Sequence, residues 1–232
     1  RGKTATVHIK IDTGMHRLGA APESAIKLIK NIYKYKNIYL EGIFSHFADA
    51  DGKDLGFARE QLEEFIRIMG KIGKIRGLLK HVANSDAVFR LPESHLDMVR
   101  PGKALYKNVL SLKTQIVGIR RLKKGESVGY GREFIAKKNI LAAAIPVGYA
   151  DGFRRSPKNW GEVVVNGRRA PVLGRVSMDQ ASIMVSKREK VGDEVILIGE
   201  GIPAEKVAKT LGTIPLEVLT GISGRVERIY NR

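Results

Sequence analysis

The chain has 232 residues, of which 43% are hydrophobic and 28% charged, and its 41 Lys and Arg against 24 Asp and Glu give a formal net charge of +17. This composition is typical of a globular protein with one large domain or two ordinary ones, and no apolar run approaches the roughly 18 residues that span a membrane. Since the chain has no cysteine, disulfides are excluded and we expect a cytoplasmic location.

The first half alternates strands with amphipathic helices. An apolar strand over residues 7–11 is followed by a helix from Pro22, with Ile26, Ile29, Ile32 and Tyr33 at helical spacing. The pattern predicts a second strand over 39–44, a longer helix, a strand end at 81–84, a short helix at 85–89 and a fourth strand at 96–100. In the longer helix, the residues predicted to share one apolar face are Ala58, Leu62, Phe65, Ile66 and Met69.

Alternating strands and helices predict a parallel sheet, in which polar residues just after each strand face the site. Those residues here are 12–17, 45–46, 84–85 and 100–102. Four strands cannot close an eight-stranded barrel. Because the chain also starts at Arg1 inside a strand-like pattern, we expect roughly half of a (β/α)8 barrel to precede it.

After about residue 110 the pattern changes to strands and turns. Apolar strands are predicted over 114–117 and 140–147, and Asn166-Gly167 sits where a type I′ turn closes a hairpin over 163–172. A turn and strand follow at 192–198, and one short helix begins near Pro203. We therefore predict two domains, a partial barrel over 1–106 and a mostly β domain over 107–232.

Several motifs occur in the order found in one enzyme family. They are Lys10-Ile11-Asp12-Thr13-Gly14-Met15-His16-Arg17-Leu18-Gly19, Ser45-His46-Phe47, His81-Val82-Ala83-Asn84-Ser85, Met98-Val99-Arg100-Pro101-Gly102, Val128-Gly129-Tyr130-Gly131, Pro146-Val147-Gly148-Tyr149-Ala150-Asp151-Gly152 and Gly174-Arg175-Val176-Ser177-Met178-Asp179-Gln180. Each motif alone is weak, but together, over essentially the whole chain, they resemble the alanine racemase family.

The resemblance implies a pyridoxal-phosphate enzyme, built as a barrel plus a β domain and working as a homodimer, that interconverts L- and D-alanine for cell-wall peptidoglycan. The family uses two bases, the cofactor-bound lysine and a tyrosine given by the partner subunit. The lysine belongs to a motif resembling A-V-V-K-A-N-A-Y-G-H-G. No such run occurs between Arg1 and Arg232, so we do not assign that lysine here and expect this chain alone to be inactive.

By the resemblance, Tyr130 is the tyrosine base for L-alanine, acting in the partner's site. A free phenol has a pKa near ~10 and needs cationic neighbours or hydrogen bonds to act as a base at neutral pH. His46 and Arg100 are the residues that the family pattern places there. By its local sequence alone, Tyr130 could instead pack in the β domain beside two glycines.

Arg100 is predicted to face the pyridine nitrogen of the cofactor. Its guanidinium stays protonated at ordinary pH and would leave that nitrogen unprotonated, which favours racemisation over decarboxylation. From the local sequence alone, an exposed arginine beside a Pro-Gly turn is the simpler interpretation.

The resemblance assigns substrate binding to Arg17 and to the backbone N–H of Met178. A bidentate arginine is an obvious partner for an amino-acid carboxylate. Lys10, a lysine that can be carbamylated in the family, would orient Arg17. Alternatively, Arg17 lies on a surface loop and Met178 fills a core gap.

The cofactor phosphate is expected to bind Ser85 and the backbone N–H groups of Gly102 and Lys103, because glycine lets the backbone approach an anion closely. Taken alone, Ser85 would be read as a helix cap. His81, Tyr149 and Asp179 are predicted to support the site.

The five histidines lack metal-ligand spacing, and we predict no metal site. Three alternatives to alanine racemase stay open: an amino-acid racemase of broader specificity, a non-catalytic pyridoxal-phosphate protein, and a basic nucleic-acid-binding protein. Nucleic-acid binding is disfavoured because the basic residues are dispersed and no aromatic residues alternate with them. We expect a small amino acid as the ligand, a homodimer, and no membrane partner.

Overall fold

The computed structural model describes residues 2–106, 109–156 and 158–230. Two compact units divide the chain, residues 1–106 and 107–232. Each unit has a hydrophobic core of its own.

The first unit is a parallel three-stranded sheet in the order β1-β2-β3 with helices between its strands. Its elements are β1 (Ala5–Lys10), α1 (Pro22–Ile32), β2 (Ile38–Phe44), α2 (Gly56–Ile72), β3 (Leu79–His81) and α3 (Ser85–Arg90). The predicted βαβ alternation and the helix start at Pro22 are therefore confirmed.

Helical periodicity predicted most of the buried apolar positions correctly, but two residues predicted to lie on an apolar helix face are exposed. Tyr33 and Ile66 are 58% and 50% exposed. On α2, Ile68 is fully buried although it was not among the predicted apolar positions, and the buried Gln61 shares that side of the helix with Ala58 and Phe65. The apolar stripe is thus narrower than the sequence pattern suggested, and one polar residue lies within it.

The predicted strand over 96–100 is wrong, because residues Leu96 to Arg100 form a turn and an irregular segment. Leu96 has a φ of +49°, a left-handed conformation that interrupts a strand. Two separate hydrogen bonds still tie this segment to β3 and the residues after it, from Asp97 N to Lys80 O and from Arg100 N to Ala83 O, at 3.0 and 2.9 Å. Arg100 therefore follows β3 on a fixed backbone without belonging to a ladder.

The second unit consists mainly of antiparallel strands. Its strands are β4 (Leu112–Gln115), β5 (Gly118–Leu122), β6 (Ser127–Val128), β7 (Phe134–Ile135), β8 (Ile140–Ile145), β9 (Glu162–Val165), β10 (Arg168–Pro171), β11 (Ala181–Val185) and β12 (Glu194–Ile198). They form sheets in the orders β10-β9-β12-β4, β11-β8-β5 and β6-β7. Two helices, α4 (Ala204–Leu211) and α5 (Pro215–Thr220), complete the unit, whereas the sequence predicted one.

The hairpin between β9 and β10 turns at Asn166-Gly167, as predicted. Both residues have positive φ, +48° and +73°, which is what a type I′ turn requires. The core beside this hairpin contains Trp160, whose indole N–H donates to Leu197 O at 2.9 Å, and Phe153 packs against it.

No helix in the described ranges is both long and apolar enough to cross a membrane. Within the same ranges, no group of three or more His, Cys, Asp or Glu side chains is arranged to hold a metal ion.

Candidate active site

Arg100 is the centre of the first unit's polar cluster. One guanidinium nitrogen, Nη1, hydrogen-bonds His81 Nδ1, and the other, Nη2, donates to Ser45 O at 2.7 Å and lies 3.3 Å from His46 Nδ1. The guanidinium carbon also lies 5.3 Å from the centre of the Phe44 ring. Two strand ends, those before Ser45 and before Val82, therefore meet at Arg100, which the sequence had placed at the end of a further strand but which lies on an irregular segment.

The histidines beside Arg100 are held neutral. Burial and the charge of Arg100 lower the pKa of His81 to about 4. Burial also lowers the pKa of His46, and the positive charges of Arg100, Arg17 and Lys10 act in the same direction. Neutral imidazoles can accept hydrogen bonds from a guanidinium, whereas imidazolium ions cannot.

Arg17 lies on a loop that is held by hydrogen bonds among its own residues. Asp12 Oδ1 accepts from the backbone N–H groups of Gly14 and His16, both at 3.0 Å. Although desolvation acts in the opposite direction, these hydrogen bonds lower the pKa of Asp12. The loop closes tightly, since a Cβ on Gly19 would lie 2.9 Å from Asp12 N. Arg17 itself is exposed at the edge of this ordered loop.

A polar set behind this loop was not predicted from the sequence. Ser45 Oγ donates to Ile11 O at 2.8 Å and accepts from Thr13 Oγ1 at 2.7 Å. Gln61, buried on α2, accepts from Ala48 N at 2.9 Å and reaches both Thr13 and His46 O. A glutamine inside an otherwise apolar helix face is the sequence signal that could have revealed this set.

The predicted phosphate-binding residues also come together. Ser85 Oγ accepts from Gly102 N at 2.8 Å and from Ala104 N at 3.3 Å, which leaves the hydroxyl proton available to an anion. A Cβ on Gly102 would meet nothing closer than Ser85 Oγ at 4.0 Å, so the space in front of Gly102 is open. The Lys103 side chain pairs with Asp86 at 2.7 Å. The cap of α3 is Asn84, whose side chain accepts from Ala87 N, and not Ser85.

These residues fit pyridoxal phosphate. After its bonds within the described part of the chain, the Arg100 guanidinium retains an Nη1–H and the Nε–H, donors suited to an unprotonated pyridine nitrogen. The Ser85 hydroxyl offers a hydrogen-bond donor to a phosphate beside the open space at Gly102, whose own N–H already donates to Ser85 Oγ. The first unit therefore presents a cation with N–H donors to spare and a hydroxyl donor beside open backbone.

Tyr130 projects from the second unit. It lies in a 3₁₀ turn between Gly129 and Gly131, both with positive φ, and it is 64% exposed. The interpretation of Tyr130 as a packed β-domain residue is therefore wrong. Its ring lies 5.7 Å from the guanidinium carbon of Arg155, so a cation accompanies the phenol within the unit.

Tyr149 and Met178 lie on two loops that are bonded to each other. Tyr149 N donates to Ser177 O, and Ala150 N to Met178 O, both at 3.0 Å. The Met178 side chain is 54% exposed and so does not fill a core gap. Both loops are further joined through one cation, because Arg225 donates to Asp151 and Asp179 at 2.6 Å each.

The chain matches two family profiles, described as "Alanine racemase, N-terminal domain" over residues 1–108 and "Alanine racemase, C-terminal domain" over residues 109–230. It is 45% identical to "Alanine racemase 2" of Caldanaerobacter subterraneus subsp. tengcongensis, over 99% of this chain and 65% of that protein. It is 42% identical to "Alanine racemase" of Clostridium tetani, over 99% of this chain and 66% of that protein.

Among solved structures, the chain resembles an alanine racemase from Clostridium difficile 630 with a TM-score of 0.91. The two are 38% identical over 99% of this chain and 65% of that chain. The chain thus spans just under two thirds of the length of these relatives.

Proposed function

We propose, since this chain belongs to the alanine racemase family, that the complete protein interconverts L- and D-alanine with pyridoxal phosphate. The observation that carries the proposal is the Arg100 cluster, a guanidinium held by neutral acceptors with N–H donors left over. When bound, pyridoxal phosphate supplies an electron sink that acidifies the α-proton of an amino acid. We place the three parallel strands of the first unit in a (β/α)8 barrel.

The residues of this chain would bind the cofactor and the substrate, each at a different group. Arg100 holds the pyridine nitrogen as an acceptor, and Ser85 with the backbone at Gly102 and Lys103 binds the phosphate. Arg17, oriented by Lys10, and the Met178 N–H bind the substrate carboxylate. His46 and His81 support Arg100, and Tyr149 and Asp179 support the Met178 loop.

Tyr130 would move the proton on one face of the substrate, in the partner subunit's site. Its exposure on a turn fixed by two glycines supports this role, because a base given to another subunit must project from its own. The opposite face needs a lysine in a motif that these 232 residues do not contain. We infer a cytoplasmic homodimer in which each site takes residues from both copies.

Mixed dimers test the chemistry and the shared site in one experiment. Tyr130→Phe and Arg100→Met variants of the complete protein should each lose racemisation of alanine. Random mixed dimers should regain about a quarter of the wild-type rate, because half are mixed and each has one intact site of two. The rate is measured as loss of optical rotation from L-alanine, with exchange of the α-proton followed in D₂O.

Two outcomes would contradict the proposal. Undiminished α-proton exchange from L-alanine in Tyr130→Phe would remove Tyr130 as the base. A complete wild-type protein that binds pyridoxal phosphate but does not racemise alanine would exclude the activity, and other amino acids would then be tried for a broader racemase.

A further inference from the structure

A continuous line of hydrogen bonds runs from Arg100 through His81 to His8 and Glu41, two residues that have no assigned role. His81 accepts from Arg100 through Nδ1, and its Nε2 lies 2.8 Å from His8 Nδ1. His8 Nε2 in turn lies 2.8 Å from Glu41 Oε2. The line starts at a half-buried cation, passes through two imidazoles and ends at a carboxylate that is 44% exposed.

The donors and acceptors in this line can be arranged in only one way. A guanidinium only donates, so His81 Nδ1 must accept. A neutral imidazole has a single acceptor nitrogen, so the proton of His81 is on Nε2 and is donated to His8 Nδ1. The proton of His8 is then on Nε2 and is donated to Glu41. Reversing either tautomer would set two N–H donors against each other.

The sheet is shaped to hold this line. The register of β1 and β2 shifts between Val7 and His8, so that His8 pairs with Gly42 and Glu41 has no pairing partner on β1. A bulge of this kind re-aims a side chain. A Cβ on Gly42 would lie 2.4 Å from His8 Nδ1, so only glycine leaves room for the imidazole.

The His81 ring is also fixed from the side. It stacks on Phe44 with 5.1 Å between ring centres and an angle of 7° between the planes, and the residue is 4% exposed. His81 cannot reach water to satisfy its Nε2–H, and within the described residues the acceptor it uses is His8.

We propose that His8 and Glu41 are positioning residues for Arg100: with His8 accepting the Nε2–H of His81 and Glu41 accepting from His8, they stabilise the one tautomer of His81 that can accept from Arg100, and thereby the orientation of the guanidinium toward the cofactor. The effect on the cofactor rests on the proposed function, whereas the effect on the His81 tautomer does not. Glu41 is partly solvated, so water replaces its acceptor in part. Water cannot replace His8 as the acceptor for the Nε2–H of His81, because the His81 ring is buried.

The variants follow from this difference. His8→Phe keeps a ring of similar shape but removes the acceptor for His81, and Glu41→Leu removes the terminal carboxylate. Glu41→Gln keeps an acceptor oxygen without the charge and should restore most of the function. Glu63→Leu is the matched control, since it removes an exposed carboxylate of the same unit that forms no ion pair among the described residues.

The first measurement is the tautomer of His81, by ¹⁵N NMR of deuterated, histidine-labelled complete protein, with the signal assigned from His81→Asn. Wild type and Glu63→Leu should show an unprotonated Nδ1 and a protonated Nε2. His8→Phe should show a shift toward the other tautomer or a mixture. A wild-type His81 protonated on Nδ1, or no change in His8→Phe, would overturn the proposal whether or not the protein racemises alanine.

The second measurement is made on the cofactor-loaded protein. His8→Phe should lower kcat about tenfold, as expected for a lost hydrogen-bond partner, shift the absorption band of the bound cofactor, and leave KM for alanine within twofold. Glu41→Leu should do the same to a smaller extent, and Glu41→Gln should lie near wild type. A His8→Phe protein with the spectrum and kcat of Glu63→Leu would overturn the positioning role. An inactive wild type with the expected tautomers would instead contradict the proposed function alone.

Discussion

Two arginines, one in each unit, show how differently the same side chain is held. Arg100 is partly buried and is bonded to imidazole nitrogens and backbone carbonyls, and no carboxylate in the described ranges pairs with it. Arg225 is 45% exposed and is paired with two carboxylates, those of Asp151 and Asp179. Among the described residues no carboxylate balances the charge of Arg100, whereas two carboxylates balance that of Arg225.

The pKa directions follow from these surroundings. Burial lowers the pKa of Arg100, while the hydrogen bonds to Asp151 and Asp179 raise that of Arg225. Both remain protonated at any ordinary pH. The two arginines therefore differ in which donors stay free and not in charge state. The one with neutral partners is the one that we propose as a binding group.

The largest difference should appear when each arginine is removed from the complete protein. Arg100→Met should lower kcat for alanine by about 10²–10³-fold, the size of one preorganised electrostatic contact. Arg100→Lys should recover little, because an ammonium lacks the guanidinium fork. Arg225→Met is the control and should retain most of kcat. Equal losses of kcat in the two variants would show that the two arginines do not differ in their importance for catalysis.

The second difference is in how each cluster responds to acid. His81 has a folded-state pKa of about 4, below its unfolded value of about 6.5, so the unfolded chain binds the extra proton first. The stabilisation is complete above about pH 6.5 and is lost as the pH falls toward 4, with no more than about 3 kcal/mol at stake.

In the second unit, the Arg225 hydrogen bond lowers the pKa of Asp151 below its usual 3.8, so this contribution is lost only below about pH 4. Urea unfolding followed from pH 7 to 4, with hydrogen exchange resolved by unit, should show the first unit weakening first. His81→Asn should flatten that slope. If the second unit lost stability at a higher pH than the first, the expected order of acid sensitivity would be wrong.

Two glycines offer a third test, on the stability of each cluster. A Cβ on Gly148 would lie 2.2 Å from Met178 O, which is backbone, whereas on Gly42 it meets the His8 side chain first. Gly148→Ala should therefore lower the free energy of unfolding by about 1–3 kcal/mol, and Gly42→Ala by less, because its one close backbone contact, Leu79 O at 2.9 Å, is the milder of the two backbone clashes. Urea unfolding monitored by circular dichroism measures both, and a larger loss in Gly42→Ala would show the first cluster to be the more rigid.

The smallest effect is expected for the Arg225 bridge itself. Arg225→Met should raise KM for alanine about two- to fivefold by loosening the Met178 loop, and the effect should shrink at 1 M salt, because exposed pairs are weak and screened. Steady-state kinetics at low and high salt measure this. An effect on KM that is independent of salt would show that Arg225 acts through packing.

Local sequence predicted the elements whose cause is local. Pro22 starts a helix because its fixed φ suits the first turn, and Asn166-Gly167 closes a hairpin because both residues tolerate positive φ. The segment 96–100 was predicted as a strand because three of its five residues, Leu96, Met98 and Val99, are apolar. It is not one because Leu96 takes a left-handed conformation, which nothing in an apolar run signals.

Within the site, the polar residues that follow strands were found because parallel strands end at one edge. The roles of Arg17, Met178 and Tyr130 were inferred from a resemblance and stay predictions. Gln61 and Glu41 were missed, since one is a glutamine in a helix stripe and the other an ordinary acidic residue in a strand. Only their hydrogen bonds to residues distant in the sequence distinguish them from ordinary polar side chains.

The sequence by itself determined the βαβ order, the hairpin turn and the family, because periodicity, turn chemistry and ordered motifs are properties of neighbouring residues. The tertiary structure decided that Arg100 has neutral partners, that Gly42 makes room for His8, and that His8 and Glu41 continue the line from His81. The two contacts that continue the line beyond His81 join residues 73 and 33 positions apart. Hydrogen bonds depend on distances of a few tenths of an ångström, and such distances are set by how strands pair and not by the spacing of residues along the chain.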